Sequence, residues 1–112
     1  MSDHVVVLMT AGSREEAEAL GQALVKEMLA ACVNVVPGIT SIYRWQDQVQ
    51  QDAEWLLLAK TRHAVLDAFM DRVRALHSYD VPEILVLPIL GGSPDYLRWL
   101  EDCVPSGWHA VD

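Results

Sequence analysis

The sequence is short of basic charge, of cysteine and of long apolar runs, and each shortage removes a class of function. Eight lysines and arginines stand against sixteen aspartates and glutamates, a formal net charge of −8. That field repels phosphate backbones and anionic lipid surfaces, which excludes nucleic acid and membrane as expected partners. The two cysteines, Cys32 and Cys103, show no C-x-x-C spacing, so neither a secreted disulfide framework nor a zinc cluster is written into the chain. No apolar run approaches the roughly 20 residues of a membrane span, and Met-Ser-Asp-His carries no basic segment of a secretory signal. The expectation is a cytoplasmic protein with reduced thiols. Also missing are G-x-S-x-G, a P-loop, G-x-G-x-x-G and H-E-x-x-H, so no enzymatic activity is expected.

What remains is a globular composition, 52% hydrophobic and 21% charged, sufficient for one core without staples. With no repeat, linker or low-complexity segment, residues 1–112 read as a single domain. His4 to Thr10 is a β-branched run ending at Ala11-Gly12, which predicts a buried strand. Ser13-Arg-Glu-Glu16 fits a helix capping box, with Ala17, Leu20, Leu24, Met28 and Ala31 spaced along one helical face. Cys32–Trp45 and Val49–Thr61 form a long projecting hairpin around Gln46-Asp47-Gln48, and Pro37-Gly38 predicts a bulge in an edge strand. His63–His77 is a second helix, with Leu66, Phe69, Met70, Val73 and Leu76 on its stripe. Glu83–Ile89 is a further strand, Ser93-Pro94-Asp95 caps a short third helix, and Trp108–Val111 predicts a last short strand.

The order β-α-β-β-α-β predicts an α/β (α+β) ferredoxin-like sandwich with an extra C-terminal helix, both main helices lying on one face of an antiparallel sheet. Both alternation sets of the strands are nonetheless apolar. Val6, Leu8, Leu56, Leu58, Ile84 and Val86 make one set, and Val5, Val7, Trp55, Leu57, Leu85 and Leu87 the other. Leaving about six such side chains in water forgoes about 1.5–3 kcal/mol each, as much as the whole stability of a domain. The open face therefore predicts association with further copies of the chain.

The residues able to carry chemistry cluster around the hairpin and the breaks. His77, followed by Tyr79, Asp80 and Glu83, offers an imidazole and carboxylates suited to copper, nickel or zinc; the alternative is a histidine interacting with a helix C-terminus. Cys32 is a soft ligand or a small buried hydrophobe. Lys60 stands at a pocket mouth to meet an anionic ligand, with Glu54 or Glu83 as counter-charge, or makes an interface salt bridge. Tyr43 and Trp45 stack a ligand or pack on a neighbouring subunit.

Ala30-Ala-Cys-Val-Asn-Val-Val-Pro-Gly-Ile-Thr-Ser-Ile-Tyr43, then Trp45, Lys60-Thr61, Leu76-His-Ser-Tyr-Asp-Val-Pro-Glu83 and Tyr96-Leu-Arg-Trp99 resemble the CutA family of divalent-cation tolerance proteins. The resemblance covers nearly the whole chain. It implies a homotrimer similar in shape to the PII signal-transduction proteins, clefts between subunits, and a non-catalytic role in tolerance to copper and other divalent metals. It also implies a cleft set of Tyr43, Trp45, Glu54, Lys60, His77, Tyr79 and Glu83. Family members are linked to copper through a strand cysteine and a histidine pair; here Met9 and Leu76 stand at those positions and only His77 matches. Weak binding of Cu(II) or another divalent cation through His77 and Glu83 is the expectation, with Met9 and Cys32 as further soft ligands. The other reading is a PII-like trimeric sensor that binds a small anionic ligand or a partner protein.

Overall fold

A computed structural model describes residues 3–107 of the chain; the strand expected at Trp108–Val111 lies outside the described residues. Strand β1 (His4–Ala11) leads into helix α1 (Arg14–Lys26), whose first turn is closed by Ser13: its hydroxyl accepts the Glu16 N–H at 3.1 Å. Only half of the capping box forms, because the Glu16 carboxylate is used elsewhere, on Ser78. The helix also stops short of the predicted Met28. That residue is exposed at φ +60°, and the left-handed step brings the Leu29 and Ala30 N–H groups onto Leu24 O at 2.9 and 3.1 Å. The last carbonyls of the helix are thereby satisfied while Leu29 and Ala30 enter the core.

Strands β2 (Cys32–Trp45) and β3 (Gln48–Arg62) are joined by Gln46 and Asp47, both at positive φ, as a tight two-residue hairpin turn requires. Register passes from Val36↔Leu56 to Ile39↔Glu54, three steps on β2 against two on β3, so the bulge falls at Pro37-Gly38. Gly38 sits there at φ +75°. A 3₁₀ turn (His63–Val65) precedes α2 (Leu66–Leu76), which buries Leu66, Phe69 and Val73 while Leu76 faces solvent. Then follow β4 (Ile84–Pro88) and α3 (Pro94–Cys103). Ser93 precedes α3 as expected, but its side chain makes no capping bond.

The sheet runs β2-β3-β1-β4, with every neighbouring pair antiparallel, so Pro37 and Pro88 both lie on edge strands. One face is the core: Val5, Val7, Met9 and Ala11 beside Leu57, Ala59 and Thr61, under Leu20, Leu24, Phe69 and Val73 of the helices. Gly21 lets α1 settle on β2, since a Cβ there would lie 3.3 Å from Val33 Cγ1. Thr61 is fully buried and satisfied, its hydroxyl donating to Leu29 O at 2.6 Å.

The opposite face carries Val6, Leu8, Leu56 and Leu58. The pairs Val7↔Val86 and Met9↔Ile84 turn β4 over relative to the sequence-based grouping: Ile84 and Val86 belong to the helix face, Leu85 and Leu87 to the open one. Trp55 and Leu57 lie on the covered face with Ala11 and Met9. Leu85 and Leu87 are 55% and 47% exposed. Helix α3 is tied to the His4 and Arg62 end of the sheet, by His4–Glu101 at 3.4 Å and by Arg62 Nη1 donating to Val104 O at 3.0 Å, and leaves these leucines uncovered.

Candidate functional site

The end of β1, the hairpin and the loop from α2 to β4 enclose a cleft of about 520 Å³ lined by Thr10, Ser41, Ile42, Tyr43, Trp45, Glu54, Tyr79, Asp80, Val81 and Glu83. Its loop wall is fixed by His77. This residue ends α2 in an extended conformation, and its ring is buried beneath the loop. Nε2–H donates to Thr10 O at 2.7 Å, while Nδ1 accepts the Tyr79 N–H at 3.0 Å. Because an amide can only donate, the Nδ1 contact assigns the proton to Nε2. Both ring nitrogens are therefore occupied, and the imidazole acts as a brace between β1 and the loop, with the Tyr79 ring centroid 4.6 Å from its own.

Glu16 supplies a second brace, accepting from Ser78 N at 2.8 Å and from Ser78 Oγ at 3.1 Å. Partial burial by itself would raise the Glu16 carboxyl, but the Ser78 hydrogen bonds, with His77 and the Gly12 N–H, outweigh it and hold the group below its ordinary value. On the cleft side, Tyr79 O–H donates to Glu54 Oε2 at 2.7 Å. Burial first, then the hydrogen bond to Glu54, pushes the Tyr79 phenol above its ordinary value, so it stays a donor. Tyr43 donates to Asp52, a contact that likewise raises its phenol.

The structure gathers Tyr43, Trp45, Glu54, Tyr79 and Glu83 around one cleft. It does not bring the other expected residues to it. Met9 is fully buried among core side chains. Cys32 is half-buried beside Asn34, its Sγ 3.9 Å from Oδ1. Lys60 lies opposite Cys32 and Val6, donates to Asn34 Oδ1, and stands six residues along β3 from Glu54, about 20 Å at strand rise. Among the described residues no three histidine, cysteine or acidic side chains converge to hold a metal ion. Sequence reasoning missed Thr10, Ser41, Ile42, Val81 and the clamp role of Glu16. The first four carry no local signal, and Glu16 was already explained by the helix cap.

Residues 5–103 match the family described as CutA1 divalent ion tolerance protein. The chain belongs to this family. It is 55% identical over 97 residues to the divalent-cation tolerance protein CutA of Thermus thermophilus, covering 87% of this chain and 94% of that one. It is 50% identical over 98 residues to the chloroplastic CutA protein of Arabidopsis thaliana, covering 88% of this chain but only 54% of the relative, so it spans about half the length of the plant protein. The solved structure of the Thermus thermophilus divalent cation tolerance protein superposes with a TM-score of 0.89 at 52% identity, covering 90% of this chain and 98% of that one. The CutA1 resemblance read from the H-x-Y-x-V-P-E segment and the hairpin, and the ferredoxin-like fold expected with it, thus hold. No helix among the described residues is long and apolar enough to cross a membrane.

Proposed function

We propose that this CutA1 chain serves in divalent-cation tolerance as a non-catalytic, single-domain protein that assembles into a homotrimer and binds Cu(II) or a similar divalent ion weakly at the cleft. The carrying observation is the lining: Glu54, Asp80 and Glu83 contribute carboxylates, and among the described residues no lysine, arginine or histidine side chain lines the wall. A hydrated divalent ion is attracted by such a surface, and the lack of three converging donors among the described residues keeps its affinity low. Glu83, not His77, is the donor this reading favours, since the His77 nitrogens are both engaged. The same carboxylates disfavour a small anion, whose counter-charge Lys60 stands elsewhere on the sheet.

Assembly is supported by the uncovered leucine face, and closed symmetry is its usual outcome. The cytoplasm is our placement, supported by the two free cysteines, although the Arabidopsis relative is chloroplastic. Calorimetric titration with Cu(II) and Zn(II) tests the metal reading. Dissociation constants well above micromolar, weakened further by Glu83→Gln, are expected. Submicromolar binding that survives both Glu83→Gln and His77→Ala places the metal elsewhere and overturns it.

A further inference from the structure

We propose that the cleft is a binding site for an organic ammonium ion, a primary alkylamine or diamine in its protonated form, distinct from any hydrated metal it attracts. Three features meet in it. Glu54 is only 7% exposed, yet it lines the cleft. Its Oε2 accepts from Tyr79, a contact that leaves Oε1 aside. A carboxylate withdrawn from water in this way gains most from a ligand that brings both a positive charge and an N–H donor.

The second feature is aromatic. Tyr43, Trp45 and Tyr79 line the same walls, and ring faces attract a cation that has shed its water. A divalent metal ion keeps its water shell and gains little from them, whereas an alkylammonium is weakly hydrated along its stem. The third feature is the stem's place: Ile42 and Val81 supply apolar surface, and about 520 Å³ is far more room than one ion needs. Asp80 and Glu83 at the same cleft offer acceptors to a second ammonium group of a diamine. A lysine from a second copy of the chain shares this chemistry, so the free amine and the protein's own Lys60 must be separated by experiment.

The test is calorimetric titration of the intact protein with putrescine and with butylamine at about 0.15 M salt, where the long-range pull of the −8 chain is screened. Saturable binding of both amines is expected, tighter for the diamine. Glu54→Gln keeps the Tyr79 contact and the side-chain shape but removes the charge, and should weaken binding at least about tenfold. Trp45→Leu removes one ring face from the wall and should weaken amine binding about two- to fivefold. Absence of binding by the unaltered protein, or binding that Glu54→Gln leaves intact, overturns the proposal. Binding that appears only in Lys60→Met also overturns it, because a neighbouring copy's lysine then owns the site.

Discussion

Leu85 and Leu87 offer the sharpest test of the two-faced sheet, because they and Leu57 are the same residue type on opposite faces of it. Each leucine keeps about half its surface in water in one subunit, 55% and 47%. Complete burial of a leucine is worth about 1.5–3 kcal/mol, so covering the remaining half stabilises an assembly by about 0.8–1.5 kcal/mol per side chain. In the proposed trimer, two leucines on each of three subunits then contribute about 5–9 kcal/mol, before the far larger cost of an unpaired charge at the interface is added. The double variant Leu85→Asp, Leu87→Asp should therefore sediment as a monomer near 12.5 kDa with the far-ultraviolet dichroism of the folded chain. Leu57→Asp, on the covered face and fully buried, should instead unfold the subunit. Sedimentation equilibrium and circular dichroism on the two variants decide the matter. A stable trimer of the open-face variant, or a folded Leu57→Asp, refutes the assignment of the faces.

Gly38→Ala forces a side chain into φ +75° at the bulge and should lower stability by about 1–2 kcal/mol in urea denaturation, with open space around the new Cβ excluding a steric cause. Glu16 has a folded pKa below the ordinary carboxyl value of about 4.3, so its contribution is complete above that pH and is lost as pH falls through the lower folded value. Glu16→Gln should reduce stability at neutral pH and flatten the acid limb of the stability curve; an unchanged acid limb would remove the clamp role. Tyr79→Phe takes away the donor to Glu54 and should destabilise the fold by about 1–3 kcal/mol, read by thermal or urea unfolding. His77→Ala should free the Thr10 carbonyl and the Tyr79 amide and speed amide exchange in residues 78–83, while β1 remains protected from Val5 to Met9.

Local order was legible wherever one segment carries its own instructions. The Ser13 cap, the Pro37-Gly38 bulge, the polar turn at 46–47 and the stripe of Phe69 and Val73 all follow from neighbours in sequence. Parity within β4 was legible too, but its phase relative to β1 was not: it depends on how the 77–83 loop is pulled in by Thr10 and Glu16, contacts more than sixty residues apart. The same reason separates the site residues. Tyr79 and Glu54 converge because β3 and the loop meet at the end of β1, whereas Lys60, on the same strand as Glu54, is carried to the far end. Met28 misled because helical spacing continues through it, while a left-handed step at that residue ends the helix.

From Trp55 towards the hairpin tip, strand β3 has no partner except β2 among the described residues, since β1 pairs with it only from Ala11↔Trp55 to His4↔Arg62. The outer reach of the hairpin, Ile39–Trp45 against Gln48–Glu54, is thus a bare two-stranded ribbon, a form that barely holds together in water. It also forms one wall of the cleft through Ser41, Ile42, Tyr43 and Trp45. Rigidity of that wall is consequently borrowed: whatever leans on the ribbon, a neighbouring copy or a ligand, tightens the site from a distance. A ligand in the cleft and a neighbouring copy that both packed on this ribbon would each order it for the other, so each would raise the other's apparent affinity.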